Sequence, residues 1–195
     1  KMTSALTIKI VNRGFLPDGI GKVSVECAPL DKLDAINLQC PERVEKIRGM
    51  LASTKVNGQI CINIVNDLKQ IIGEYFEEIF IYTDNKSLGE SVSSGYSLAL
   101  VATCVDSAMV VVSETNSATV SDPNLFAETS AKAFLKKVAK LTVLDDQRYW
   151  IVLSLMAITH GVSTLTTNRL PDETILKVVE ECFGVKFAVR RQGSD

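Results

Sequence analysis

Histidine is nearly missing from this chain, and His160 is its single example. With one imidazole and no clustered ligands, structural zinc is not expected. Any histidine chemistry has to pass through that residue. Cysteine is sparse too: Cys27, Cys40, Cys61, Cys104 and Cys182 are odd in number and nowhere spaced as a C-x-x-C pair. Four of them lie in apolar runs or on apolar helix faces, where a reduced, buried thiol is ordinary, so neither metal nor disulfide is expected. No uninterrupted span of about 18 apolar residues occurs and no signal-peptide pattern is present, which reads as a soluble, intracellular protein with no membrane partner. A strong charge excess is also lacking, since 21 basic residues face 23 acidic ones for a net charge of −2. That balance argues against a whole-surface nucleic-acid binder and confines any RNA contact to a local patch.

What is present points to an ordered protein. Hydrophobic residues make up 46% and charged residues 23% of the 195 positions, enough for one large domain or two small ones with real cores. The chain starts at Lys1 and enters a strand pattern almost at once, an odd start that suggests a fragment. Ala5–Val11 alternates through Leu6, Ile8 and Ile10, and Lys22–Cys27 through Val23, Val25 and Cys27, predicting two strands joined by a glycine-rich loop. Asp31–Pro41 reads as connecting sequence. Lys46–Thr54 predicts a strand. Ile60–Ile72 carries Ile64, Val65, Leu68, Ile71 and Ile72 at helical spacing, with Gly73 where a C-cap belongs.

Glu78–Thr83 alternates as a strand, Asn85–Gly95 is a polar loop, and Tyr96–Thr103 and Ala108–Ser113 predict two further strands joined at residues 105–107. Asp122-Pro123 is a helix start with a capping side chain and proline in first position, and Phe126, Ala127, Ala131, Phe134 and Val138 make one face of that helix. Lys132, Lys136, Lys137 and Lys140 oppose it and read as a solvated face more readily than as an RNA stripe. Asp145–Ile158 predicts a helix buried on most sides, Pro171–Phe183 an amphipathic helix ended by Gly184, and Val185–Val189 a closing strand. The buried face of the second of these helices is expected to hold Ile175, Leu176, Val178, Val179, Cys182 and Phe183. These elements divide the chain into 1–42, a β-α-β-β-β-α unit at 43–142, and 143–195.

Two stretches are candidates for chemistry. In Arg13-Gly14-Phe15-Leu16-Pro17-Asp18-Gly19-Ile20-Gly21, glycines permit close backbone approach and Arg13 supplies charge for a phosphate. The competing reading, an ordinary strand connection with glycines at positive φ, is favoured by the residues alone because glycine-rich turns are common. A P-loop is excluded, since no Gly-Lys-Ser/Thr ending follows. His160, before Gly161, is the available general base or nucleophile. No triad is arranged locally around it, and a helix-end position accounts for it as well.

Taken together, several segments resemble the RNA 3′-terminal phosphate cyclase family. The Arg13–Val23 loop is similar to the family's R-G-x-x-P-x-G-G-G-E-V. Ile47-Arg48-Gly49 with Ser53-Thr54-Lys55-Val56 resembles I-R-G…S-T-R-V, and Gly89-Glu90 with Ser93–Leu98 resembles G-E…S-P-G-x-G-x-x-L. Tyr149–Ile158 is similar to a Q-W-L-V-L-L-F-M-A-L type of helix. The resemblance implies an α+β fold, a body of repeated βαβαββ units with a smaller thioredoxin-like domain inserted at 43–142, of which this chain would be the C-terminal half.

Family cyclases transfer AMP from ATP to a histidine in S-x-H-x-x-T-N. Thr167-Asn168 matches the end of that motif and puts Thr164 at the histidine position, with His160 four residues earlier. Threonine cannot form the phosphoramidate, and Ile20 interrupts the triple glycine of the loop. The resemblance therefore implies the non-catalytic branch of the family, with no cofactor. That branch implies a nuclear, nucleolar ribosome biogenesis factor of the small-subunit processome, supporting early pre-rRNA processing toward 18S rRNA by binding an assembly GTPase. Arg13, Gly14, Gly19, Gly21 and Arg48 are then candidates for binding phosphate or RNA, pre-rRNA or snoRNA, and the N-terminal half of the same protein is an expected partner. The alternatives are an active ATP-dependent cyclase using His160, or a pre-rRNA endonuclease.

Overall fold

The computed structural model describes residues 6–29, 31–39, 43–86, 93–104, 110–117, 122–139, 144, 148–167 and 170–190. The architecture is α+β, as expected. The order is β1 (Leu6–Asn12), β2 (Lys22–Cys27), β3 (Asn37–Leu38), β4 (Val44–Thr54), α1 (Gly58–Gly73), β5 (Ile79–Lys86), β6 (Gly95–Cys104), β7 (Val110–Ser117), α2 (Pro123–Ala139), α3 (Tyr149–Ile158), β8 (Thr164–Leu165) and α4 (Glu173–Phe183).

The main core grows from alternation along β4. Ile47, Gly49, Leu51 and Ser53 are buried, while Arg48 and Met50 between them are exposed, the period of two that a one-sided sheet imposes. β4 pairs in parallel with β5 and antiparallel with β6, and β6 pairs antiparallel with β7, giving the order β5-β4-β6-β7. Parallel neighbours need a crossover, and α1 supplies it. The helix begins at Asn57, whose side-chain oxygen accepts the Gln59 N–H at 2.9 Å, and it buries Cys61, Ile64, Val65, Leu68 and Ile72. At α2 the Asp122 carboxylate accepts from the N–H groups of Asn124 and Leu125, and Phe126, Ala127, Ala131, Phe134 and Val138 turn inward as the sequence predicts. The inner residues of β4, β5 and β6 and the buried faces of both helices form one cluster. Each fully buried Ile or Leu there contributes about 1.5–3 kcal/mol. Gly49 has no room for more, since a Cβ would stand 2.7 Å from the Leu100 side chain.

The remaining elements are thinner. β1 and β2 form an antiparallel ribbon in which Ile8 faces Val25 and Ile10 faces Val23, yet every residue of β1 is exposed. α3 and α4 pack on each other around Tyr149, Leu153 and Val179. β3 and β8 make a short parallel pair, and Leu38, Val44, Leu144 and Leu165 around Cys104 join that pair to the end of the large sheet.

Several expectations give way here. Of the helix expected over 145–158, residues 145–147 lie outside the described residues, and α3 (Tyr149–Ile158) buries only Tyr149 and Leu153, while Trp150 and Ile151 are exposed. An apolar helix is enclosed only where neighbours surround it, and among the described residues its helical neighbour is α4. For the same reason α4 buries Val179, while Val178, Cys182 and Phe183 are exposed. Among the described residues, 185–189 pair with no strand. Phe187 instead donates its N–H to the Glu180 carboxylate at 2.7 Å and packs beside α3 and α4. Gly73 is the last residue of α1, and the C-cap is Glu74 in right-handed geometry, which asks for no glycine. Gly184 does cap α4, at φ 66. The stretch 31–41, expected to be connecting sequence, contains β3. Cys61 and Cys104 are buried but Cys27 and Cys182 are exposed. Cys40, Lys140, residues 87–92 and residues 105–107 lie outside the described residues.

Candidate functional site

Between β1 and β2 the chain closes on itself. The Gly19 N–H donates to the Phe15 carbonyl at 2.9 Å and the Ile20 N–H to the Asp18 carbonyl at 3.0 Å. Gly14 is pressed against this turn so closely that a Cβ would fall 1.7 Å from the Gly19 carbonyl oxygen and 2.4 Å from the Gly21 nitrogen. Gly19 itself sits at φ 74, the left-handed region that favours glycine. Gly14 and Gly19 thus serve the loop's own closure.

The closed loop is pinned to one end of the large sheet. The Arg13 Nη1 donates to the carbonyls of Ser53 and Asp84, each at 3.0 Å, and Nη2 pairs with the Asp84 carboxylate. The Arg13 side chain is only 12% exposed, so much of its charge is directed inward, at the ends of β4 and β5. On the other side the Asp18 N–H donates to Ser93 Oγ at 3.2 Å, and that hydroxyl donates back to the Asp18 carboxylate. The Phe15 ring lies over Gly95, where any Cβ would meet it at 2.6 Å. The sequence pattern does not mark Asp84, and it places Asp18 and Ser93 in two separate motifs without a role; the distant contacts bring them to the loop.

The stretch around His160 is stitched to residues 33–38. The N–H groups of His160, Thr164 and Thr166 donate to the carbonyls of Leu33, Ile36 and Leu38 at 3.0, 2.8 and 2.8 Å. Ser163 Oγ accepts from the Ile36 N–H at 3.0 Å and shares a hydrogen bond with the Thr159 hydroxyl at 2.7 Å. Thr164 is an exposed strand residue whose hydroxyl donates to Asn37 Oδ1 at 2.7 Å. Tyr149 and Thr167 share a hydroxyl–hydroxyl bond, and Asn168 lies outside the described residues. His160 stands two residues beyond α3, exposed, and among the described residues its ring has no hydrogen-bond or ion-pair partner. An imidazole without an orienting group lacks the arrangement a catalytic base normally has. No cluster of His, Cys, Asp or Glu able to hold a metal occurs among the described residues.

Arg48 lies elsewhere. It projects from the outer face of the large sheet, away from α1 and α2, and is register-paired with Phe80 on β5 and Val101 on β6. Among the described residues it has no hydrogen-bond or ion-pair partner. Four positions further along the same strands, about 14 Å away, Ala52 pairs with the Asp84 that holds Arg13. The outer face and the glycine loop therefore share one sheet, with the loop at its end.

A chain with this loop, this mixed sheet and this threonine-bearing stretch belongs to the RNA 3′-terminal phosphate cyclase family, whose profile matches residues 1–189. Among its relatives, the RNA 3′-terminal phosphate cyclase-like protein of Mus musculus is 29% identical over 190 residues, covering 93% of this chain and 51% of that protein. The Homo sapiens protein of the same name is 28% identical over the same share of each. The rRNA processing protein rcl1 of Schizosaccharomyces pombe is 34% identical over 99 residues, or 50% of this chain and 27% of that protein. The chain spans about half the length of the cyclase-like relatives it matches. No helix among the described residues is long and apolar enough to cross a membrane.

Proposed function

We propose that this protein is a non-catalytic member of the cyclase family that works by binding, as a nucleolar ribosome biogenesis factor of the small-subunit processome. In this reading it supports early pre-rRNA processing toward 18S rRNA and engages an assembly GTPase and processome proteins. Residues 1–42 and 143–195 belong to the body of repeated units, and 43–142 form the inserted domain. The N-terminal half that its relatives possess is the body's other part.

The observation that carries the reading is Thr164. The position matching the family's nucleophilic histidine is a threonine, held in β8 by its backbone and tied to Asn37 by its hydroxyl. A hydroxyl in that place offers no nitrogen for a nucleotidyl bond. The name of the Schizosaccharomyces pombe relative, an rRNA processing protein, supports the direction. The test is twofold. Protein incubated with ATP and magnesium or manganese forms no stable AMP adduct, and a pull-down brings down a GTPase with small-subunit assembly proteins. An adduct abolished by His160→Ala overturns the reading in favour of an active cyclase.

A further inference from the structure

We propose that the outer face of the β5-β4-β6-β7 sheet binds single-stranded RNA, with Phe80 and Tyr82 as stacking platforms and Arg48 as the cation that meets the phosphates. The proposal deepens the functional reading above and rests on it, since it names how the protein would hold pre-rRNA.

Phe80 and Tyr82 occupy alternate positions of the edge strand β5, so both rings leave the same side of the sheet about 7 Å apart. They are 49% and 63% exposed, and Met50, paired with Tyr82, is 50% exposed. Large aromatic side chains left in water on an open sheet are costly unless something covers them, and single-stranded bases stack on such surfaces whatever their sequence. Charge selects the occupant. Outward positions of β4 carry Arg48 and also Lys46, which is ion-paired with Glu45 at 3.5 Å. Arg48 is thus the free cation among the described residues of these strands' outer face, and outward positions of β6 carry the uncharged Ser97, Ala99, Val101 and Thr103. The carboxylate at an outward position of these three strands, Asp84, is already neutralised by Arg13. Glu114, paired by register with Ala99, lies on β7, two strands from Arg48. On the helical side, the groove between α1 and α2 is lined by Asp67 and Glu128, which disfavours phosphate in the groove itself, and the lysines of α2 lie outside it, Lys132 paired with Glu128.

The experiment is fluorescence anisotropy of a labelled oligouridylate against the protein, with a salt series and an RNA duplex of equal length. Tyr82→Ala is expected to weaken binding about tenfold, and Tyr82→Phe, which keeps the ring, to leave it nearly unchanged. Arg48→Gln is expected to weaken binding and flatten the salt slope by about 0.7. Both positions are exposed, and an unchanged thermal midpoint confirms that the three variants are folded. Binding that ignores Tyr82→Ala and Arg48→Gln overturns the proposal, as does a duplex bound equally well. Loss of a protein partner by these variants, with no RNA binding by the parent, makes the face a protein interface and also overturns it. If RNA binding fails while assembly proteins still co-purify, the sheet proposal falls and the ribosome-assembly reading stands. RNA binding with no such proteins has the reverse meaning.

Discussion

Arg13 fixes the relation between the loop and the sheet with three hydrogen bonds from one guanidinium, two to carbonyls and one to a carboxylate. Lysine has the charge but not the planar fork, so it cannot reach the two carbonyls and the carboxylate together. Arg13→Lys is expected to cost about 1–3 kcal/mol in urea unfolding and to speed proteolysis within 14–21. Gly14→Ala strikes the same loop from inside, because the new methyl meets backbone that has no flexible end to swing away. An expected loss of about 1–3 kcal/mol, with the main core intact by amide exchange, is the measurable consequence. The R-G-x-x-P-x-G pattern made this loop visible in the sequence, but not what each residue does there. A glycine that admits a phosphate and one that admits its own loop look identical in a string of letters. The close approach of Gly14 to the Gly19 carbonyl and the Gly21 nitrogen separates them, just as the contacts to Ser53 and Asp84, 40 and 71 residues away, fix the role of Arg13.

At the scale of elements, the legible parts were those whose signals are local. Asp122-Pro123 announces α2, and the spacing of Ile64, Val65, Leu68 and Ile72 announces α1. Burial on α3 and α4 was not legible, because periodicity says which face is apolar and not whether anything lies against it. α4 offers a test of its start. Asp172 caps it by accepting the Thr174 N–H at 2.8 Å, and bonds from the Thr174 backbone and side chain hold the carboxyl below its ordinary value of 3.8. A folded-state value below the unfolded one means the charged cap favours the helix above the unfolded value, and that this is lost as pH falls through the folded one. The Thr174 amide resonance should therefore follow that acidic transition, and its exchange should quicken below it. Asp172→Asn keeps the acceptor without the charge, so it should cap the helix while abolishing the transition. A Thr174 amide that titrates unchanged in the asparagine variant would refute the assignment.

Across the whole molecule, the open apolar surface is uneven. The helical side of the large sheet is closed by its own core, whereas Leu6, Ile8, Ile10, Val23 and Val25 of the β1–β2 ribbon are 44–64% exposed together. A two-stranded ribbon has marginal stability in water, and each of these half-covered side chains would gain about 1–2 kcal/mol if fully covered. Under the proposal that the relatives' N-terminal half packs against this body, the ribbon is the surface with most to gain. Ile8→Lys separates the cases, since its effect depends on whether a cover is present. In the 195-residue chain the lysine points into water and should leave the thermal midpoint almost unchanged. In a protein that also carries the N-terminal half, it buries an ammonium among apolar side chains and should lower the midpoint by several degrees. A hydrophobic dye should bind the shorter protein and release from the longer one, while β1 and β2 amides gain protection. Equal midpoint shifts in both proteins, or none in either, would place the cover elsewhere and leave the ribbon a free surface.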